Sequence, residues 1–269
     1  MEPSILIALC WLLFAATHIG LASRRVRPAL VARLGPSSFS YLFSFVAIVT
    51  FGLLLHVLSL HQHAGAAGLD LGRFTPVGAI GMVTITTGVV LTIAALQSPP
   101  ASMLALFIPG GVKEPYGLER VTRHPFFVGT ALLGIGHVLL ASRMVGVVAF
   151  GGLAIYSIAG AMHQDGKLRR ELGEHFAAYL DQTSLVPFAA IVAGRQRLVA
   201  RELPLAGIAV GLLLAFALRS VHSSILADGG AWAIGVMVLG PLVATWLTLL
   251  RRRRSRRTRG HADASRVTA

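Results

Sequence analysis

GLERVTRHPFFVGTALLGIGH, from Gly117 to His137, changes character halfway along. Its first half is basic and water-facing, with Arg120, Arg123 and His124. Pro125 follows, at a place that suits the first turn of a helix, where a missing N–H costs nothing. Beyond it the residues are apolar and glycine-spaced, with one imidazole, His137, near the far end. A basic helix mouth can hold an anion, and a lone imidazole in an apolar helix can hold a metal. The pattern sets the fold class, because it is a helix that passes from a charged interface into hydrocarbon.

The rest of the chain agrees. Of 269 residues, 55% are hydrophobic and 13% charged, against about 25% charged in a soluble domain. The mean hydropathy is +0.72. These values make the chain an integral membrane protein, all-α, built as a polytopic helix bundle. Seven apolar helices are expected, over 5–22, 39–60, 77–96, 126–142, 145–162, 203–218 and 231–250, each near the length that crosses a bilayer. The fourth and sixth are short, and merging one would leave six. Asp165 to Asp181 spaces Leu168, Leu172, Phe176 and Tyr179 at helical intervals among charges, which predicts one amphipathic helix in the interface plane. Glu2 stands where a signal peptide would be positive, so the first span is expected to remain in the mature protein.

Charge placement predicts orientation. With the N-terminus outside and the C-terminus cytoplasmic, 21 of the 24 Lys and Arg residues fall inside, and only Arg73, Arg143 and Arg219 fall outside. Arg251 to Arg254, Arg256, Arg257 and Arg259 end the chain in a basic tail, 251–269, expected to be disordered. Beside a span, such a run points to anionic lipid rather than nucleic acid. The bilayer of a bacterial inner membrane is the expected setting. The single cysteine, Cys10, excludes an intrachain disulfide and a cysteine zinc site.

Three histidines fall inside expected spans: His18, His56 and His137. An imidazole in a membrane helix needs a partner. One reading is a hydrogen bond across helices; the other is axial ligation of a haem iron by facing imidazoles. Gly134 and Gly136 flank His137 and would allow either a flat macrocycle or a close helix to approach. Arg24, Arg25 and Arg123 could meet propionates, or anchor the headgroup region. Expected depths differ by roughly 10 Å between His18 and His137 at about 1.5 Å per residue, and His56 matches His137 better. The acidic residues Glu114, Glu119, Asp165, Glu171 and Glu174 are expected on a solvated inner face. No Ser-His-Asp pattern, Walker loop or dinucleotide fingerprint is present.

HIGLASRRVRPALVARLG (His18–Gly35), VTRHPFFVGTALLGIGH (Val121–His137) and ELGEHFAAYLDQTSLVPFAAIVAGRQ (Glu171–Gln196) resemble the NnrU family of membrane proteins. Within it they are similar to the plant and cyanobacterial 15-cis-zeta-carotene isomerases. The resemblance covers residues 5–200 and continues weakly through the sixth span; residues 1–200 are the expected membrane domain, with two further spans over 201–250. It implies a haem b with His18 and His137 as iron ligands, whereas the depth estimate offers His56 as the alternative. Arg123, His124 and Arg24 are then candidate contacts of the cofactor. It implies cis–trans isomerisation of a carotenoid-like polyene, a hydrophobic small molecule. Other members are associated with nitrite and nitric oxide respiration, which implies instead a non-enzymatic haem or accessory protein in denitrification. The isomerases carry a cysteine one turn before the second histidine, where this chain has Gly134. The RHP motif is shared with membrane methyltransferases that use S-adenosylmethionine, a third expectation involving Arg123, His124 and Glu174.

Overall fold

A computed structural model describes residues 1–97, 114–236 and 239. The basic tail and most of the seventh expected span lie outside the described residues. So does Lys113. Among the described residues the chain is helical, with no strand and one isolated antiparallel bridge, Ala67 with Arg143.

The helices follow the apolar stretches. They are α1 (Pro3–Ala22), α2 (Val26–Leu34), α3 (Pro36–His61), α4 (Thr75–Gln97), α5 (Pro125–Leu140), α6 (Met144–Leu172), α7 (Glu174–Gln182) and α8 (Leu205–Ser220). Four stretches, in α1, α3, α4 and α6, are long and apolar enough to cross a membrane by length and composition. The two spans expected to be short are short: α5 and α8 have 16 residues each, about 24 Å of helix. Pro3, Pro36 and Pro125 each open a helix, where proline removes no intrahelical hydrogen bond. Residues 227–236 begin the seventh expected helix.

Two features differ from the sequence reading. Val26–Leu34 is a short helix in what reads as a loop, set off from α3 by Gly35 at φ 81°. The expected amphipathic helix is divided. Its first half continues α6 without a break to Leu172, Gly173 turns the chain at φ 56°, and α7 supplies the second half. Leu168, Phe176 and Tyr179 pack together and are buried by protein. The helical spacing was right, but hydropathy alone cannot locate a break that only a left-handed residue marks.

α6 is the central helix. α5 packs on it from one side and α1 from the other, with α4 and then α8 beyond α5, and α3 beyond α1. Trp11 of α1 donates from Nε1 to the Ala149 carbonyl at 3.0 Å, and its ring lies over Gly152. Ile7, Cys10, Phe14, Leu54, Leu58 and Val145 complete this core. α4 and α5 meet backbone to backbone: a Cβ on Gly88 would stand 2.6 Å from the Gly129 carbonyl oxygen. Small residues are what allow this approach without a hydrophobic drive in lipid.

The chain passes back and forth between two ends. One end gathers the N-terminus, residues 62–74, the turn at 141–143 and residues 221–226; Ala66 N–H donates to Glu2, and Gly68 and Asp70 N–H donate to Ser142 and Ala141. The other end gathers α2, residues 114–124 and the segment after α6. They are called outer and inner below, after the charge count.

Candidate functional site

At the inner end the segment leading into α5 is knotted to the chain beyond α6. Arg123 donates its backbone N–H to Ser184 O at 2.9 Å, Phe188 N–H donates to Val121 O at 2.8 Å, and the Thr122 hydroxyl donates to Leu185 O at 2.7 Å. α6 runs far enough inward to bring Asp165 into this layer. Arg123 Nε donates to Asp165 Oδ2 at 2.8 Å and His124 Nε2 donates to Oδ1 at 2.7 Å. Arg120 grips Glu202 through Nε and Nη2 at 2.7 and 3.0 Å and reaches Gln196 with Nη1. The buried Tyr179 hydroxyl donates to Glu119 Oε1 at 3.0 Å, and Tyr116 N–H donates to the other oxygen.

This corrects the reading of Glu119 and Asp165 as a solvated face: Glu119 is 6% exposed, and the Asp165 side chain 16%. The signal available was weak, since isolated acidic residues between apolar helices look alike whether paired or solvated. The basic mouth is present, but the anion it faces is the protein's own Asp165. Burial, then the charge of Glu119, pushes the Tyr179 phenol well above its ordinary range, so it stays a donor. The Arg120 hydrogen bond and the Gly117 N–H hold the Glu202 carboxyl below its usual range.

The three span histidines have different surroundings. His18 sits among Phe14, Phe43 and Tyr156, its ring 4.4 Å from Phe43, and its buried Nδ1 has no hydrogen-bond partner. His56 donates from Nδ1 to the Gly229 carbonyl at 3.1 Å, the cross-helix bond expected of a satisfied histidine. His137 donates from Nδ1 to Leu133 O at 2.8 Å and stacks on Phe150 at 4.1 Å. In a neutral ring this leaves Nε2 with its lone pair, the tautomer and fixed plane of a metal-binding imidazole.

The fold does not bring His18 and His137 together. Against α6, His18 lies by Tyr156 and His137 by Phe150. Six residues along a helix are about 9 Å in depth and put the two contacts on faces about 120° apart. His18 and His137 thus neighbour α6 at different depths and on different faces of it. Arg24 is exposed in the turn after α1 at the inner end, whereas His137 lies towards the outer end. Gly134 and Gly136 are taken up by helix packing. A Cβ at 134 would lie 2.6 Å from Phe150 O, and one at 136 would lie 2.8 Å from Gly81 O.

A residue missed by the sequence reading stands beside His137. His222, in the helical turn after α8, has its ring 6.1 Å from that of His137 with planes 15° apart. The signal was available: both residues fall at the outer ends of their helices. Among the described residues no group of three or more His, Cys, Asp or Glu is placed to hold a metal ion.

Comparison with known proteins adds the following. The family described as NnrU protein matches residues 5–228. The chain is similar to "15-cis-zeta-carotene isomerase, chloroplastic" of Zea mays, 28% identical over 203 residues, covering 72% of this chain and 52% of the relative. It is also similar to the protein of that description in Arabidopsis thaliana, 27% identical over 205 residues with the same coverages. The chain thus spans about half the length of the curated relatives it matches. No solved structure matches.

Proposed function

The chain belongs to the NnrU family, and from that premise we propose that it is a membrane haem b protein acting as a cis–trans isomerase on a carotenoid-like polyene. The observation that carries this reading is His137: an imidazole in an apolar helix, with Nδ1 committed to Leu133 O and Nε2 left as a ligand nitrogen. The relatives' description supplies the substrate class, a 15-cis polyene. An elongated hydrocarbon suits a bundle whose helices expose apolar faces.

A bound haem would supply an iron that, when reduced, interacts with the conjugated double bond and lowers its rotational barrier. This chain's own residues would do the holding. His137 would ligate, Leu133 would fix its tautomer, Phe150 would fix its plane, and the apolar helices would exclude water. Arg123 and His124, through Asp165, hold the start of α5 against α6 and so position His137. With Arg123 and His124 both bonded to Asp165, the methyltransferase reading is the less supported one. Gly134 favours a second reading within the family, a haem protein without polyene turnover, because the isomerase cysteine has no room at that position.

The test is an absorption spectrum of the detergent-purified protein, oxidised and dithionite-reduced, followed by incubation of the reduced form with 15-cis-zeta-carotene. A Soret band that His137→Ala abolishes while circular dichroism is kept, with conversion of the polyene, supports the isomerase. Haem without conversion leaves the second reading. Absence of haem after supplementation removes both.

A further inference from the structure

α5 and α8 are short for a bilayer. At 16 residues each they are about 24 Å long, against a hydrocarbon core of about 30 Å. The chain that flanks their ends is therefore drawn to the hydrocarbon boundary. At the inner end, one such flank is the segment after α7, which is tied to the start of α5. Phe188 donates its N–H to Val121 O, just ahead of Pro125, and the Thr122 hydroxyl donates to Leu185 O.

Residues 186–192 make a tight turn there whose backbone is satisfied from within. Between Phe188 and Gln196 the N–H groups, Ile191 apart, donate to oxygens of the protein. The buried Ser184 hydroxyl donates to Val186 O and accepts from Ala190 N–H. A turn so closed loses little on leaving water, because few of its N–H groups depend on it.

Its side chains do the opposite and reach outward. Val186, Phe188 and Val192 are 65%, 51% and 86% exposed, with Val192 one helical turn beyond Phe188. Phe188 has φ 64°, a conformation that glycine takes freely and an aromatic residue does not. A bulky apolar side chain in that conformation, half out of the protein, points to a contact beyond the chain. Arg195 and Arg197 follow, both exposed. The buried ion pairs of this end engage other arginines, Arg120 and Arg123.

We infer that the turn 186–192 is a wedge set into the inner leaflet at the boundary of headgroups and acyl chains. Val186, Phe188 and Val192 enter the acyl region, and Arg195 and Arg197 meet lipid phosphates. Charge counting makes this stretch a cytoplasmic loop; part of it returns to the leaflet instead. Through Val121 the wedge holds the start of α5 at the boundary and offsets the shortness of that helix. None of this depends on the haem reading of the function.

The experiment places single nitroxide labels on the full chain in phosphatidylcholine vesicles, with and without phosphatidylglycerol. The labelled variants are Val186→Cys, Val192→Cys and Arg197→Cys. The unsubstituted chain, whose Cys10 is buried, gives the background. Oxygen concentrates among acyl chains and a nickel chelate in water, so the ratio of their relaxation effects in electron paramagnetic resonance reads depth. Labels at 186 and 192 should favour oxygen several-fold over the label at 197. Phosphatidylglycerol should deepen the label at 192, and Arg195→Gln with Arg197→Gln should cancel that gain. Phe188→Gly, which relieves the backbone, should lower the ratio at 192 by at least twofold without lowering the melting temperature.

A label at 192 reached chiefly by the nickel chelate puts the turn in water and overturns the inference. So does a label that neither reagent reaches, which would mean that a second copy or another part of the chain covers the turn. A ratio unchanged by Phe188→Gly overturns it likewise, because the aromatic side chain would then not hold the turn in the leaflet.

Discussion

Gly134 illustrates how much one missing atom decides. Its Cα face lies against the Phe150 carbonyl and Ala154, so the α5–α6 contact exists because no side chain is there. Gly134→Cys, which would imitate the isomerase cysteine, should separate the two helices and cost roughly 1–3 kcal/mol, the range for overpacking a tight core. A thermal melt unchanged from wild type would refute this. Tyr179 decides in the opposite way, by a group present. Its hydroxyl is one of the donors that satisfy the buried Glu119. Tyr179→Phe should cost about 1–3 kcal/mol, the penalty for leaving a buried acceptor short of a donor, and the lower melting temperature should not depend on haem. A loss of only a few tenths would show that Glu119 is satisfied without it.

Among the elements, α6 sets the arrangement. A 29-residue helix is about 43 Å long, so it outlasts the hydrocarbon and delivers Asp165 to the basic segment that precedes α5. The neighbouring latch, Arg120 with Glu202, gives a pH dependence whose sign is fixed. The folded-state carboxyl of Glu202 is lowered by the Arg120 hydrogen bond first and the Gly117 N–H second. Its contribution is thus fully present above the ordinary glutamate value and is lost as pH falls through the lowered one. Glu202→Gln should therefore melt below wild type at pH 7, and the gap should close as the pH is taken below the usual carboxylate range. A gap that is constant with pH would mean that the ion pair contributes nothing.

For the whole molecule, the consequence to check is sidedness. Residues 64 and 223 lie at one end of the bundle, and residues 24 and 197 at the other. Cys10, the one natural cysteine, is buried, so a labelling background is low. Single cysteines introduced at Ala64 and Ser223 should react with an impermeant maleimide from one side of the membrane, and those at Arg24 and Arg197 from the other. Ala64 and Ser223 labelling from opposite sides would break the six-pass arrangement of the described helices. The positive-inside count further predicts that Arg24 and Arg197 face the cytoplasm.

The all-α class, the places of the long apolar helices, the opening at Pro125 and the candidacy of His137 were determined by the sequence alone. Each follows from local chemistry: hydropathy over about 20 residues, the missing proline N–H, an imidazole among apolar residues. The tertiary structure alone decided the partners. It assigned Asp165 to Arg123 and His124, Gly134 and Gly136 to helix packing, His56 to Gly229, and His222 rather than His18 to the side of His137. Partnership depends on which helix lies beside which and at what depth, and residues remote in sequence carry no mark of that until the chain is packed.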